Sequence, residues 1–495
     1  MDAKPFLSGE PTLSAQIRSQ LGHPVIDSDG HMIEFEPDVL DVLNSVGGKD
    51  VATKFTDGLS KSRWYRWHEL TSTERHAGRV LRSPWWGIPA SNTLDRATAT
   101  IPGLLYERLD EFGIDFAIAF PSLGAAAMRP NEAEVRQAAC RAFNTYYSEL
   151  YSPFSDRITP VAVIPMHTPE EAITELEHVV NHLGLKAVTM PSYIRRPIAK
   201  AIQEAPNSSR WAYWLDTYGL DSEYDYDPVW SRCRDLGVSP AFHSTSVGSG
   251  HDSISNYAHN HIGTFATAGQ ATCKSLFMGG VTRRFPELRF AFLEGGVGWA
   301  CSLFGSIIEH WEKRNVHAVE NYNPQHIDRE LLFDLYKTYG GPMADKFERL
   351  GKGPLVASAG LGVIDDPQED GGQRDEWKAI DIEREEDIVD LFIPSFYFGC
   401  EADDRSNVWA FNTKVNPFGA RLNTLFGSDI GHWDVPDMSA VLGHAYHFVE
   451  TELINDKDFK DFVFENPVRF YAANNPDFFR ETILASEADT VLSDQ

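Results

Sequence analysis

The sequence predicts an α/β chain folded as a (β/α)8 TIM barrel with large insertions. Eight short apolar runs recur along it, and helical patterns separate them. No Gly-rich phosphate turn follows the first run, as a doubly wound open sheet would normally carry. Several runs are apolar nearly throughout, which suits parallel strands buried on both faces. A bare barrel takes about 250 residues. This chain has 495, so insertions are expected near 35–103, 195–227 and 315–390.

Taken in order, residues 1–23 form an N-terminal extension, 24–480 the barrel domain and 481–495 a C-terminal tail. The expected strands are Pro24–Asp29, Phe116–Ser122, Pro160–Pro165, Lys186–Pro191, Ser239–Thr245, Leu288–Glu294, Leu391–Phe398 and Thr424–Ile430. A helix is expected over Glu132–Tyr151 from its apolar spacing. Another starts at Thr168-Pro169-Glu170-Glu171. There Thr168 can cap, Pro169 fits the first turn, and the two acids favour the positive helix end. Gly184 suits its stop. A third covers Pro228–Leu236 and ends at Gly237. The first insertion holds Trp64, Trp67, Trp85 and Trp86, and the last an acidic tract from Asp365 to Asp387. A solvated loop is the expected reading of that tract.

Composition excludes several function classes. Lys and Arg number 44 against 72 Asp and Glu, a net charge of −28. Nucleic acid and anionic membrane would be repelled on average. No apolar run approaches the roughly 20 residues of a membrane helix. The first 20 residues lack a signal-peptide pattern. Five scattered cysteines, never paired as CxxC, argue against a disulfide framework. The expectation is a cytoplasmic protein acting on a small molecule.

Chemistry-bearing residues cluster where strands end. The first strand runs Asp27-Ser28-Asp29-Gly30-His31. Residues two apart share a side of a strand, so Asp29 and His31 can share one metal ion. The fifth carries His243 near its end, and the eighth carries Asp429 near its own. In a barrel such ends converge on one mouth, where active sites lie. Two imidazoles and two carboxylates suit zinc, with manganese or iron as alternatives, and disfavour calcium. Taken singly, each of these residues also has an ordinary structural reading, as a capping or core group.

At this point the sequence resembles the metal-dependent amidohydrolase superfamily, in the amidohydrolase-2 branch related to aminocarboxymuconate-semialdehyde decarboxylase. The resemblance spans about Val25 to Pro476. It rests on Ile26-Asp27-Ser28-Asp29-Gly30-His31, Leu105–Asp110 with Gly113-Ile114-Asp115, Pro165–Pro169, Gly184–Val188, Gly279–Arg289, Glu294–Trp299 and Gly427-Ser428-Asp429. It implies that Asp29, His31, His243 and Asp429 hold one divalent ion, with Asp429 also handling a proton. Two positions depart from the family. Asp29 stands where His, sometimes Glu, is usual, and Glu294 where relatives of the decarboxylase often carry His. The family often forms dimers, and the aromatic insertions suit such an interface.

The expected activity is metal-dependent, non-oxidative decarboxylation of a small aromatic or ring-cleavage acid. A hydrolase cutting a C–C or C–N bond is the alternative, and a barrel without catalysis the third reading. Asp429, Glu294 and His432 are the catalytic candidates. His261, Trp85 and Ser244 are candidates for contacting substrate.

Overall fold

The first strand, β1 (Ile26–Met32), is buried along its whole length. The computed structural model describes residues 10–60, 66–84, 89–243, 252–322, 326–350 and 375–493. Parallel pairing continues from β1 through β2 (Phe116–Pro121), β3 (Ile158–Val163) and β4 (Ala187–Met190). An antiparallel hairpin, β5 (Ile194–Pro197) with β6 (Tyr213–Asp216), occupies the second insertion. The parallel series then resumes with β7 (Pro240–Phe242), β8 (Phe290–Phe292), β9 (Phe396–Cys400) and β10 (Asn423–Phe426). Eight strands thus follow one another around the sheet.

Backbone hydrogen bonds just past β10 bring the last strand back to the first. The Asp429 N–H donates to the Asp29 carbonyl, and the His31 N–H donates to the Ile430 carbonyl, both at 2.9 Å. The β1–β2 register shifts between Asp27 and Gly30. A side chain at Gly30 would place its Cβ 2.5 Å from Asp27 Oδ2, so it would have to displace the Asp27 carboxylate.

Alternation sorts the strand side chains. Ala241, Ala291, Leu293 and Tyr397 join one buried cluster with Ala117, Val161 and Ala187. Phe242, Phe292 and Phe398 instead form an aromatic layer, with ring centroids 5.2 and 6.2 Å apart. Trp299 packs edge-on against Phe398 at 5.2 Å.

The helices follow the local signals closely. Ala133–Tyr151 is helical, and inside it Asn144 accepts from the Val163 N–H and donates to the Val163 carbonyl. Thr168 caps Pro169–Asn181 by accepting from the Glu171 N–H. Asp227–Leu236 stops at Gly237, whose φ of 69° is left-handed. One expected strand needs correction. Leu391 and Phe392 close a helix, Glu385–Phe392, rather than open a strand. Ile388 and Phe392 are both buried at helical spacing, Pro394 breaks the run, and the strand starts at Phe396.

Residues 305–388 form a compact unit of their own. Within it the Trp377 indole donates to the Arg314 carbonyl at 3.1 Å, and Glu376 takes the Arg314 guanidinium at 2.8 and 3.0 Å. The stretch from Asp365 to Asp370 lies outside the described residues. The described cysteines, Cys140, Cys233, Cys273, Cys301 and Cys400, are all free. No helix among the described residues is long and apolar enough to cross a membrane.

Candidate metal centre

Six side chains from the carboxyl ends of four strands meet in one buried cluster. Asp29 and His31 come from β1, and His243 directly follows β7. His243 Nε2 lies 2.8 Å from Asp29 Oδ1 and 3.5 Å from Glu294 Oε2. His31 Nε2 lies 3.4 Å from Asp29 Oδ1 and 3.2 Å from Asp429 Oδ1. His432 Nδ1 is 2.6 Å from Asp429 Oδ1 and 3.6 Å from Glu294 Oε1. The His31 and His432 rings stack at 3.5 Å. Phe120 stacks on His243 at 4.9 Å and gives the cluster an apolar wall.

Backbone conformation aims two of these acids. By alternation Glu294 would follow Phe292 to the outer face of its strand. A left-handed φ of 57° turns it inward instead. Asp429 adopts φ 52° just after β10. Non-glycine residues held there cost about 1–3 kcal/mol each and gather at functional sites. Asp27, two residues before Asp29 on β1, takes another task. It accepts from the Ser428 N–H at 2.9 Å, the Ser428 hydroxyl at 2.5 Å and the Asp29 N–H at 3.2 Å. Burial still pushes Asp27 up to about 6.

Charge is unbalanced inside the cluster. Burial would raise Asp29, but the His243 and His31 imidazoles outweigh it and hold the carboxyl well below its usual range. Burial lifts Glu294 and Asp429 well above theirs and lowers His432 to about 4. His31 Nδ1 and Glu294 Oε2 are buried without a hydrogen-bond partner. Buried polar atoms are normally paired. Converging donors of this kind, nitrogen and oxygen mixed, fit a divalent cation. Asp29, His31 and His243 can present one ligand atom each within 4.8 Å of one another, and so can His31, Glu294 and His432.

An aromatic edge is built from the loops after β7 and β10. His261 ends a short helix, Tyr257–His261, and stacks on Tyr257 at 5.4 Å. Its ring meets Trp433 edge-on, also at 5.4 Å. Burial holds His261 below its ordinary value, while Asp434 pulls it up and His432 pushes it down. The first insertion holds this edge in place. The Trp67 indole donates to the Ile254 carbonyl at 2.7 Å, and Asn260 donates to the Arg82 carbonyl at 2.7 Å. Trp85 and Ser244 lie outside the described residues.

Two contributors had no counterpart among the sequence candidates. The Ser122 hydroxyl, just past β2, stands 3.4 Å from His432 Nε2. Glu34 ties the same loop down, accepting from the Leu123 and Gly124 N–H groups at 2.8 Å and from the Tyr147 hydroxyl at 2.7 Å. The place of Ser122 at a strand end was the available signal. Nothing local marks Glu34.

A family model described as amidohydrolase matches residues 26–331, more than half of the chain. Comparison with curated proteins gives no significant match. Solved structures that resemble the chain include a dihydroxybenzoic acid decarboxylase from Polaromonas sp. JS666, which holds manganese and the inhibitor 2-nitroresorcinol. It is 14% identical, with 92% of this chain and 99% of that one covered and a TM-score of 0.49. 5-Carboxyvanillate decarboxylase from Sphingomonas paucimobilis is 14% identical over 90% of this chain and 98% of its own, with a TM-score of 0.48. An amidohydrolase from Mycobacterium avium subsp. paratuberculosis K-10 is 16% identical over 91% and 100%, with a TM-score of 0.49.

Proposed function

Because the chain belongs to the amidohydrolase family, we propose that it is a metal-dependent carboxy-lyase. Its substrate would be a small aromatic or ring-cleavage acid, decarboxylated without an oxidant. The observation that carries this reading is Glu294, a buried acid aimed between His243 and His432 at 3.5 and 3.6 Å.

Asp29, His31, His243 and Asp429 would hold the ion, zinc on the donor set, with manganese or iron as alternatives. When bound, a divalent ion supplies a Lewis-acid charge that steadies an oxygen-bearing substrate. The rest falls to this chain's own groups. Asp29, Asp429 and Glu294 together carry three negative charges if all are ionised, one more than a divalent ion balances. A proton on Glu294 removes the excess, and a neutral carboxyl in a dry pocket is a general acid. The bond from ring carbon to carboxylate breaks, its electron pair stays on the carbon, and the Glu294 proton goes there as carbon dioxide leaves. The edge formed by His261 and Trp433 would flank the ring.

Hydrolysis is the second reading, and the 2.6 Å approach of His432 to Asp429 favours it. That pair can take a proton from water. Turnover in D2O of hydroxybenzoic and ring-cleavage acids, with zinc- or manganese-loaded enzyme, separates the two. The lyase releases one carbon dioxide per substrate and leaves deuterium on the vacated carbon. Products that have gained water, with no carbon dioxide, would overturn it.

A further inference from the structure

We infer that His432 is a fifth protein ligand to the ion, binding through Nδ1, and that Ser122 orients its ring by accepting a hydrogen bond from Nε2–H. The inference rests on the reading that Asp29, His31, His243 and Asp429 hold that ion. His432 is 2% exposed. Its Nδ1 lies 2.6 Å from Asp429 Oδ1, closer than the 2.8 Å between His243 Nε2 and Asp29 Oδ1. His31 Nε2 stands 3.2 Å from the same Asp429 oxygen, so two imidazole nitrogens converge there. Glu294 Oε1 is 3.6 Å from His432 Nδ1. One ligand atom each from His31, Glu294 and His432 lie within 4.8 Å of one another.

The backbone is shaped to bring this ring in. Asp429 and Gly431 both take left-handed torsions, with φ of 52° and 97°, and the His432 N–H closes the turn on the Asp429 carbonyl at 3.2 Å. A Cβ at Gly431 would lie 3.0 Å from the His31 carbonyl oxygen and 3.5 Å from His31 Cβ. Glycine there lets the loop lie against His31, and the two rings stack at 3.5 Å, 24° from parallel. The far nitrogen, His432 Nε2, meets the Ser122 hydroxyl at 3.4 Å. A metal-bound imidazole commonly gives its other N–H to such an outer partner, which fixes the tautomer. Ser122 is itself held. Its N–H donates to the Met32 carbonyl at 3.2 Å, and Glu34 binds the next two N–H groups. With the proton on Nε2, Nδ1 keeps a lone pair facing the centre. A neutral imidazole adds a ligand without adding charge, and five protein ligands leave one position of a six-coordinate ion for substrate. If Nδ1 instead carries the proton and donates it to Asp429, His432 is a partner of a ligand and not a ligand.

The two arrangements differ in how many imidazoles touch the ion, and cobalt counts them. The full chain, stripped by chelator and reloaded with Co2+, is read by proton NMR, where each metal-bound imidazole that keeps a ring N–H gives one far-shifted, exchangeable resonance. Wild type should show three such resonances. His432→Ala should show two, the retained pair also reporting a folded centre. Ser122→Ala should keep all three, speed the solvent exchange of one several-fold and lose about 10–100-fold in Co2+ affinity, the range for outer partners of metal ligands. Two resonances in wild type would overturn the fifth ligand and leave the other four standing. No bound Co2+ in wild type would overturn the reading of a metal centre itself. Three resonances kept by His432→Ala would overturn the assignment to His432. Unchanged exchange and affinity in Ser122→Ala would overturn the part given to Ser122.

Discussion

Asp429 donates its backbone N–H to the carbonyl of Asp29 at 2.9 Å. The contact that joins the last strand to the first therefore also sets two carboxylates of the candidate centre side by side. Gly427 makes this approach possible. A Cβ there would lie 2.8 Å from Asp29 Cβ and 2.9 Å from the Cys400 carbonyl, contacts neither partner can relieve without backbone movement. Gly427→Ala should cost about 1–3 kcal/mol, as overpacking does in a filled core. It should weaken metal retention in the same variant. Urea unfolding and metal analysis on one preparation check both. Unchanged stability with normal metal content would show that the joint is looser than its distances indicate.

Metal removal should destabilise the barrel. An ion that binds only the folded chain stabilises it by about 2.7 kcal/mol at a hundredfold excess over Kd. Chelator should lower Tm, and zinc or manganese should restore it. His243→Ala removes a side chain 2.8 Å from Asp29, so its Tm should respond to neither treatment. A wild-type Tm indifferent to chelator and metal would count against an ion here.

Much of this arrangement is legible in the sequence because it depends on short-range rules. His31 lies two residues from Asp29, and His243 and Asp429 end apolar runs, so alternation and strand order bring them to one mouth. Helix caps at Thr168 and Gly237 are equally local. What stays hidden depends on backbone torsion or distant partners. The register shift between Asp27 and Gly30 accompanies the turn of Asp27 onto Ser428, some 400 residues away. No spacing rule would foresee that. Glu294 reaches the cluster through its left-handed φ, against the parity of its strand. The helix ending at Phe392 reads as a strand because a short apolar run fits either period.

Acid sensitivity should be traceable to His167. Burial lowers this imidazole to about 3, with the nearby Arg136 and Arg196 guanidinium groups adding to the effect. Its Nδ1 is buried without a partner. The unfolded chain takes up the proton near pH 6.5 while the folded chain refuses it. Stability is therefore intact above about 6.5 and falls as pH drops toward about 3. His167→Gln should flatten that fall by on the order of 1–3 kcal/mol. Urea midpoints of both proteins from pH 8 to pH 4 measure it, and parallel curves would clear His167 of any part in acid unfolding.

Glu294 separates proton delivery from metal holding. Its carboxylate stands 3.5 Å from His243 and 3.6 Å from His432, close enough to serve as a ligand or as an acid. Gln keeps the shape and one carbonyl oxygen but cannot give up a proton. If Glu294 is the acid, Glu294→Gln should retain wild-type metal content and lose about 10²–10⁴-fold in kcat, the range general acid catalysis contributes. KM should change little, because the substrate-flanking groups are untouched. If Glu294 is a ligand instead, metal content should fall together with activity, and excess ion should rescue part of it. Metal content, kcat and KM measured on one preparation give opposite patterns for the two roles, so the result assigns Glu294 to one or the other.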